Sequence, residues 1–336
     1  MKDVAKLAGV SLGTVSAVLN GKQTVKKQNY DQVMQAVQQL GYQPNLLARS
    51  MRTSVSGTVG LIIPDVSNPY YPELARGVED VVREAGMTLF LCNSDRSTEK
   101  EWNYAQALAQ KQVDGLIIAK PRMSADQLHT LQRSCKIVLV DSAETDLDDF
   151  DMINVDNCVG SANAVQHLIS CGHRKIAFLS GSLEAYSMSQ RLDAYCSVLR
   201  ENGIDFCEQW VRICDYSWRS AYDAALDLLA LPDPPTAIFA GNDIMAFGAI
   251  RAVFDSGLRV PNDISVCGFD DILMAGMMVP ALTTVHQPKY EIGLQSATLL
   301  LRKIRSETNA IFHKELATNL VLRESVTAVQ DAANSR

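Results

Sequence analysis

Apolar residues recur at helical spacing in three short segments near the start of the chain. The segments are DVAKLAGV (3–10), LGTVSAVLN (12–20) and QNYDQVMQAVQQL (28–40). Gly9 and Gly41 follow as helix C-terminal glycines, and Ser11 precedes the second segment as an N-cap. Three short helices with a tight turn between the first two are typical of a helix-turn-helix head. Its expected core positions are Val4, Leu7, Ala8, Val15, Val18, Leu19, Val33, Met34, Val37 and Leu40.

From residue 57 onward, short uninterrupted apolar runs alternate with amphipathic segments of helical length. Uninterrupted strands covered by helices on both faces predict parallel, doubly wound sheets. About 280 residues of this pattern predict two lobes, with a ligand cleft where the carboxyl ends of the strands meet. The predicted strands are GTVGLII (57–63), MTLFLC (87–92), VDGLIIA (113–119), KIVLV (136–140), KIAFLS (175–180), TAIFAG (236–241) and ISVCGF (264–269).

The expected organisation is a helical head at 1–44, a linker at 45–56 and a body at 57–336. LTTVHQP (282–288) and LATNLVL (316–322) are expected to cross between the lobes. The expected lobe bounds are about 57–157 and 287–312 for the first lobe, and about 158–284 and 313–330 for the second. The fold class is therefore a small all-α helix-turn-helix head plus a two-lobe α/β body with parallel doubly wound sheets, similar to periplasmic binding proteins.

Charge is distributed unevenly along the chain. The whole chain carries −7, but residues 1–55 hold seven Lys and Arg against Asp3 and Asp31, which is +5, so the remainder carries −12. A basic head on an acidic body can bind phosphates at one end while the body stays off nucleic acid. A solvated surface with a chance cluster of lysines is the alternative interpretation of the same charges.

Several classes of protein are not expected from this sequence. No run of about 18 uncharged apolar residues occurs, and the start is too charged for a signal peptide, so we expect a cytoplasmic protein. The eight cysteines form no CxxC pair, so we expect neither disulfides nor a metal site. No G-x-G-x-x-G, P-loop or G-x-S-x-G motif occurs, so we expect no cofactor and no enzymatic activity.

A series of motifs, in order, resembles the lactose/galactose repressor family of bacterial transcription regulators. The match runs through nearly the whole chain, and no single motif would be specific without the others. The motifs are KDVAKLAGVS-x-x-TVS-x-VLNG (2–21), LGY-x-PN-x-x-ARS-x-R (40–52), GLIIPDVSNPYY (60–71), HLISCGHRKIAFLSG (167–181), FAGNDIMAFGAI (239–250), GLRVPNDISVCGFDD (257–271) and PALTTVHQP (280–288).

The resemblance implies that the second helix of the head enters the major groove of double-stranded DNA. Ser11, Thr14, Ser16 and Asn20 carry short polar groups suited to phosphate oxygens, although they also suit helix capping and solvation. By the same resemblance Leu12, Gly13 and Ala17 face base edges, and Thr24, which follows the helix in sequence, also contacts the DNA. Ala17 stands where the family usually has a long polar residue. Lys26, Asn29 and Tyr30 also differ from the residues usual in the third helix. These differences change the operator sequence that we expect the protein to bind.

The linker resembles a hinge helix that orders on DNA and inserts apolar side chains into the minor groove. Leu47, Ala48 and Met51 would form this wedge, with Asn45, Arg49 and Arg52 near phosphates and the groove floor. An ordinary interdomain linker is the alternative interpretation of these residues.

Polar and aromatic residues near predicted strand ends form a candidate effector site. Those that follow strands are Tyr70, Tyr71, Asp141, Asn242 and Asp270, and the resemblance adds Arg191 and Tyr216. Carboxylates, amides and aromatic faces suit a polyhydroxylated ligand, although each residue could instead cap a helix or bond between lobes. For Asp243 and Asp271 we expect ligand binding and a structural role equally. His286 is expected to be structural. Ala185 stands where a purine-binding relative has Arg, which favours a sugar or sugar acid.

The expected function is a homodimeric repressor that binds a palindromic operator and responds to a small-molecule effector. The C-terminal segment ESVTAVQDAANSR has no leucine heptads, so no tetramer-forming coiled coil is expected. A protein corepressor as the main signal is the first alternative. A solute-binding receptor is the second alternative, although it would need a signal peptide and no head, and an enzyme is the third.

The expected contacts make a prediction about operator reading. Leu12, Gly13 and Ala17 offer no bidentate base contact, which contributes about 1–3 kcal/mol of discrimination where present. Met51→Ala should therefore lose more specific affinity than Leu12→Ala, measured by mobility shift at one salt concentration, and mutating the central base step should cost more than mutating any outer base pair. The prediction would be contradicted if Leu12→Ala lost more specific affinity than Met51→Ala and if mutating the central base step left the affinity unchanged.

Overall fold

The computed structural model describes residues 1–19, 25–42, 56–143 and 147–329, and the chain forms two compact units, Met1–Gly57 and Thr58–Arg336. Most of the predicted linker (45–56) and several predicted DNA-contacting residues lie outside the described residues. Those residues are Asn20, Thr24, Asn45, Leu47, Ala48, Arg49, Met51 and Arg52.

The first unit contains the three predicted helices, α1 (Lys2–Ala8), α2 (Leu12–Leu19) and α3 (Lys27–Gln39). Gly9 ends α1 in the left-handed conformation with a φ of 63°, where a residue with a Cβ would be strained. The Ser11 hydroxyl accepts a hydrogen bond from the Thr14 amide at 3.1 Å, so the predicted N-cap of α2 is confirmed.

Short side chains form the core of this head. The buried residues are Val4, Ala5, Ala8, Val15, Val18, Val33 and Ala36. The prediction that Leu7, Met34 and Leu40 belong to this core is wrong, because they are 50%, 41% and 46% exposed. At 100° per residue Ala5 shares the face of Val4 and Ala8, whereas Leu7 lies to one side of it.

The second unit is an α/β body. Its strands are β1 (Thr58–Ile63), β2 (Thr88–Asn93), β3 (Gly115–Ala119), β4 (Lys136–Val140), β5 (Asp151–Val155), β6 (Ile176–Ser180), β7 (Val211–Ile213), β8 (Ala237–Ala240), β9 (Ser265–Asp270), β10 (Thr283–His286), β11 (His313–Leu316) and β12 (Asn319–Val321). Its helices are α4 (Tyr70–Glu84), α5 (Thr98–Gln110), α6 (Ala125–Gln132), α7 (Asn157–Ser170), α8 (Tyr186–Glu201), α9 (Trp218–Leu229), α10 (Asp243–Asp255) and α11 (Lys289–Ile304). No helix in the described parts of the chain is both long enough and apolar enough to span a bilayer.

The first lobe is built on a six-stranded sheet in the order β11-β5-β4-β3-β1-β2. Every neighbouring pair in it is parallel. Helices α4 and α11 cover one face, and α5 and α6 cover the other, so apolar cores lie on both sides. This arrangement explains why β1 and β3 are uninterrupted apolar runs.

The second lobe repeats the plan in a sheet of order β12-β10-β9-β8-β6-β7. Only β12 is antiparallel to its neighbour among the described pairs. Helices α9 and α10 cover one face, and α7 and α8 cover the other. The predicted pair of doubly wound sheets is therefore confirmed.

All seven predicted strands are present, but one of them is not buried. Phe90 and Leu91 of β2 are 43% and 48% exposed because β2 lies at the edge of its sheet. Strands β5, β7 and β11 were not predicted, since their polar residues interrupt the apolar run. Strands β10 and β12 were not predicted either, because their segments were expected only to cross between the lobes.

The chain passes between the lobes three times, from β5 to α7, from β10 to α11, and from β11 to β12. The expected lobe boundary at 312 differs from the structure, in which His313–Leu316 pairs with β5 of the first lobe. The sequence HKEL has no apolar run by which the pattern could assign it. Thr318 Oγ1 donates to the Asp156 carbonyl at 3.0 Å and so ties the third crossing to the first.

Glycines allow close contacts between helices of the body. An added Cβ on Gly77 of α4 would lie 2.1 Å from the Tyr290 carbonyl of α11, and one on Gly293 of α11 would lie 2.0 Å from the Leu74 carbonyl of α4. In the second lobe, an added Cβ on Gly248 of α10 would lie 2.1 Å from the Trp218 carbonyl at the start of α9. Because the obstructing atoms are backbone, no side-chain rotation relieves the overlap.

Gly77→Ala should therefore destabilise the body by about 1–3 kcal/mol or more, the usual cost of overpacking. The measurement is the midpoint of thermal or urea unfolding. Gly276→Ala is the matched control, since its added Cβ would meet only the Arg323 side chain at 3.8 Å or more. Equal midpoints for the two variants would contradict this packing.

Candidate functional site

A cavity of about 450 Å³ lies in the body between residues that follow strands of both sheets. Its volume is within the usual range for small-molecule sites. All seven residues proposed from the sequence for effector binding line it. They are Tyr70, Tyr71, Asp141, Arg191, Tyr216, Asn242 and Asp270.

A lysine–aspartate pair forms part of the first-lobe wall. Lys120 follows β3 and Asp141 follows β4, so parallel pairing of these strands brings the two residues together. Lys120 Nζ lies 2.9 Å from Asp141 Oδ2 and donates to Ser187 Oγ of the second lobe at 3.1 Å. Asp141 Oδ1 is buried and has no hydrogen-bond partner among the described residues. An acceptor in this position favours a ligand that can donate a hydrogen bond.

Tyr70 and Tyr71 begin α4, with their rings edge to face and their centroids 5.0 Å apart. Burial raises the pKa of both phenols well above the usual range, so both stay protonated and can donate. Tyr70 Oη donates to Gln287 Oε1 at 3.4 Å, which links the first lobe to the segment that follows β10.

Arg191 of α8 is 1% exposed. Its Nε donates to Asn157 Oδ1 at 3.0 Å, and its Nη1 donates to the Gly241 carbonyl. The guanidinium carbon lies 3.5 Å from the centroid of the Phe269 ring, which offsets part of the cost of burying the charge. These contacts hold a planar cation against the cavity.

Asn242 and Asp270 each accept a hydrogen bond from the protein with one side-chain oxygen. Asn242 Oδ1 caps α10 by accepting from the Met245 amide at 2.7 Å, so this residue fits both interpretations of the sequence. Asp270 Oδ1 accepts from Gln287 Nε2 at 2.6 Å. Burial raises the pKa of Asp270, although Arg191 and other nearby cations oppose this shift.

Tyr216 lies in the loop before α9, with its hydroxyl donating to the Ser182 carbonyl at 3.4 Å. A Cβ on Gly181 would lie 2.1 Å from the Tyr216 ring, so only glycine fits there. The Arg96 guanidinium and the Lys120 ammonium lie over this ring, 4.9 Å and 5.9 Å from its centroid. Tyr216 therefore packs against two cations.

Backbone strain collects around the cavity. Five of its lining residues have positive φ although none is glycine: Arg96 (56°), Lys120 (52°), Asp141 (56°), Tyr216 (72°) and Asp270 (119°). Each such conformation costs on the order of 1–3 kcal/mol and persists only where the surroundings enforce it. The strain fixes the directions of the side chains at the strand ends.

Asp243, Asp271 and His286 do not line the cavity. Asp243 is fully buried and accepts from Thr284 Oγ1 at 2.5 Å and from the Ile272 amide at 2.8 Å. Asp271 lies 2.6 Å from an Arg323 nitrogen and 2.9 Å from His286 Nδ1. Although partial burial raises it, these hydrogen bonds bring the pKa of Asp271 to about 2. The three residues therefore hold the second lobe together.

Sequence reasoning missed Lys120, Arg96 and Gln287, which also line the cavity. Lys120 directly follows a predicted strand, so the rule that selected Asp141 would have found it. Arg96 lies several residues beyond β2, and Gln287 lies in a crossing segment, so neither position gives a signal by itself.

On the head, the described residues proposed for DNA contact are Ser11, Leu12, Gly13, Thr14, Ser16 and Ala17. They lie at least partly exposed on α2 or at its N-terminus, whereas Val15 and Val18 of the same helix are buried. Leu12 is 46% exposed. The helix thus presents short polar and small apolar groups to solvent on one side.

The buried Asp243 makes a prediction about pH. Burial and the nearby Asp270 raise the pKa of Asp243 well above its usual value, so this group favours folding at low pH, and its contribution is lost as the pH rises above about 4. Asp243→Asn should therefore flatten the decline of the thermal midpoint as the pH rises above about 4. Asp205→Asn, at an exposed position, should leave the parent profile unchanged. An equally steep decline in Asp243→Asn would contradict the assignment.

Comparison with known proteins matches each of the two units to a family model. Residues 1–45 match the model of bacterial regulatory proteins of the lacI family. Residues 56–319 match the periplasmic binding proteins and sugar-binding domain of the LacI family. Together these matches cover most of the chain.

A ribose operon repressor from Halalkalibacterium halodurans is 36% identical over 335 residues, which cover 100% of this chain and 99% of the relative. The crystal structure of the lac repressor dimer bound to operator and the anti-inducer ONPF has a TM-score of 0.87 at 29% identity, covering 97% and 98% of the two chains. The complex of the transcriptional regulator CelR with cellobiose has a TM-score of 0.74 at 31% identity, covering 96% and 98%. With both family models matched in order, the chain belongs to the LacI family of bacterial regulatory proteins.

Proposed function

We propose that this LacI-family transcriptional repressor binds operator DNA through its head and changes its DNA affinity when a small polyhydroxylated molecule occupies the cavity of its body. The observation that carries the proposal is the convergence of polar and aromatic residues from both lobes on one cavity. The lac repressor and CelR complexes, one with operator DNA and one with cellobiose, support the two halves of the proposal. The protein is a regulator rather than an enzyme, as are its repressor relatives.

The head supports DNA binding through its helix-turn-helix and its charge. Residues 1–55 carry +5, and the lysines of the described head are exposed. Short polar groups on α2 can bond phosphate oxygens once the helix lies in the major groove. Ser11 caps α2 and stays exposed, so it can serve both roles.

The cavity supports an effector that bridges the lobes. Asp141 of the first lobe offers an unused acceptor, Arg191 of the second offers a buried planar donor, and tyrosine rings lie nearby. A sugar presents hydroxyls to the polar groups and a C–H face to the rings. A ligand that contacts both lobes stabilises one relative arrangement of them, and this differential affinity is what can shift the equilibrium of the protein.

Exposed apolar residues support a homodimer. Phe90 and Leu91 on the edge strand β2 are about half exposed, and in the second lobe Leu273, Met277 and Val279 are 79%, 71% and 84% exposed. Such residues on a folded body favour burial against a partner. Because the head is small, two copies would read two half-sites of a palindrome.

The proposal is tested by selecting DNA from a random library with the full-length protein and then measuring the mobility shift of the selected site with and without sugars. We expect a palindromic site whose binding changes with at least one compound. Selection of no specific sequence would refute DNA recognition, and a site lacking two-fold symmetry would refute the dimer.

Asp270→Asn should weaken the response to the effector about tenfold or more while leaving operator affinity within twofold, because the charged acceptor in the cavity is lost and the hydrogen bond from Gln287 can persist. The amide also tolerates the positive φ of this position. The readout is the effector concentration that gives half of the mobility-shift change. Asp205→Asn is the exposed control in the same lobe. Joint loss of DNA binding and folding would assign Asp270 to the fold instead.

A further inference from the structure

The cavity wall is richer in cations than in usable carboxylates. Four basic side chains line it, namely Arg96, Lys120, Arg122 and Arg191, against the carboxylates Asp141, Glu184 and Asp270. Three of the cations come from the first lobe, where they follow β2 and β3. The cations therefore lie mainly on one side of the cavity.

The ion pairs in the wall differ in strength. Lys120 and Asp141 form a close pair at 2.9 Å with both side chains largely buried. Arg122 lies 3.7 Å from Glu184, whose side chain is 83% exposed, and such a pair contributes little. Arg122 is therefore available to a ligand at little cost.

The other two cations form no close ion pair with a carboxylate that lines the cavity. Arg96 lies 3.0 Å from Asp65, which does not line the cavity, whereas Arg96 does. Arg191 has no carboxylate within 4.0 Å in the described part of the chain. The cavity lining therefore holds one more cation than carboxylates, four against three.

Two of the cations converge on one aromatic ring. Arg96 and Lys120 both lie within 6 Å of the centroid of Tyr216, although they come from different strand-to-helix loops. Each of them has one carboxylate partner, Asp65 for Arg96 and Asp141 for Lys120. A negative group on the ligand that lay near both cations would add a further favourable interaction with each.

The amides that line the cavity also offer donors. Asn242 uses its oxygen to cap α10, and Asn68 uses its oxygen to accept from the Tyr70 amide at 3.0 Å. Each keeps its NH₂ group, which can donate to a ligand. The unused Oδ1 of Asp141 is the exception, since it calls for a ligand hydroxyl. The wall therefore suits a ligand rich in acceptors that carries at least one hydroxyl.

We propose that the effector is an anionic sugar derivative, with its single carboxylate or phosphate held by Arg96, Lys120 and Arg122 and with a hydroxyl donated to Asp141 Oδ1. The inference rests on the proposed function, because it names the chemical class that occupies the same cavity. Neutral sugars would forgo the charge-assisted hydrogen bonds to these cations and would bind more weakly.

The experiment compares matched compounds on the full-length protein at constant ionic strength. The neutral probes are D-glucose, D-galactose and D-ribose. The charged probes are the aldonates of all three sugars, the uronates and 6-phosphates of the two hexoses, and D-ribose 5-phosphate. Calorimetry and the thermal midpoint report binding. We expect at least one charged compound to bind roughly tenfold or more tightly than its neutral parent, as charge-assisted hydrogen bonds are about twice as strong as neutral ones. The aldonate and phosphate arms distinguish the two kinds of anion.

Variants locate the anion. Arg122→Gln and Lys120→Gln should each weaken the binding of the charged compound by about tenfold more than they weaken the binding of its neutral parent. Arg133→Gln, an exposed arginine of the same lobe, is the matched control and should change neither affinity. Thermal midpoints of the empty proteins show whether each variant is folded.

Three results would overturn the inference: a neutral sugar that binds as tightly as its charged derivatives, no binding by any charged compound, or unchanged affinity in folded Arg122→Gln and Lys120→Gln. The mobility shift keeps this failure separate from that of the proposed function. If a neutral sugar alters operator binding and the charged compounds do not, the repressor function stands and the anionic class is wrong. If the protein selects no DNA at all, the proposed function fails, whereas the calorimetric comparison still decides the ligand class.

Discussion

Parallel strands have to bury both faces and end at the same edge of their sheet, and the functional features of the body depend on this constraint. The helices cover both faces, so a ligand reaches such a sheet at the carboxyl ends of its strands. Polar residues placed directly after a strand therefore collect there whatever their separation in sequence, as Lys120 and Asp141 do. Because both lobes obey the same rule, their polar ends together enclose one cavity. The positive φ values at these ends fix side chains that a relaxed loop would leave free.

The pattern of apolar residues was sufficient for the strands that lie inside a sheet, such as β1 and β3, because burial on both faces requires an uninterrupted run. It failed for β11, whose sequence HKEL is polar and which forms through backbone pairing to β5. It identified β2 but not its exposure, since position at a sheet edge is set by strand order, which no local pattern encodes.

Part of the candidate site could be predicted from the sequence in a similar way. Asp141 and Asp270 were found because each ends an apolar run, and Arg191 was found only through resemblance to a family. Arg96 could not be found, because its place over the Tyr216 ring depends on two loops that are far apart in sequence. The distinction between Asp270, which faces the cavity, and Asp271, which pairs with Arg323, needs the backbone conformation as well as the order of residues.

The three crossings between the lobes limit how the body can answer a ligand. One connection would allow the lobes to swivel freely, whereas three connections resist twisting and leave bending across them as the soft motion. The bond from Thr318 to the Asp156 carbonyl holds two of these connections side by side, so they act as a single flexure. The hydrogen bond from Lys120 to Ser187 joins the two lobes and involves none of the three crossing segments. Bending at the crossings therefore changes the separation of these two side chains, so this bond can form in one arrangement of the lobes and break in another.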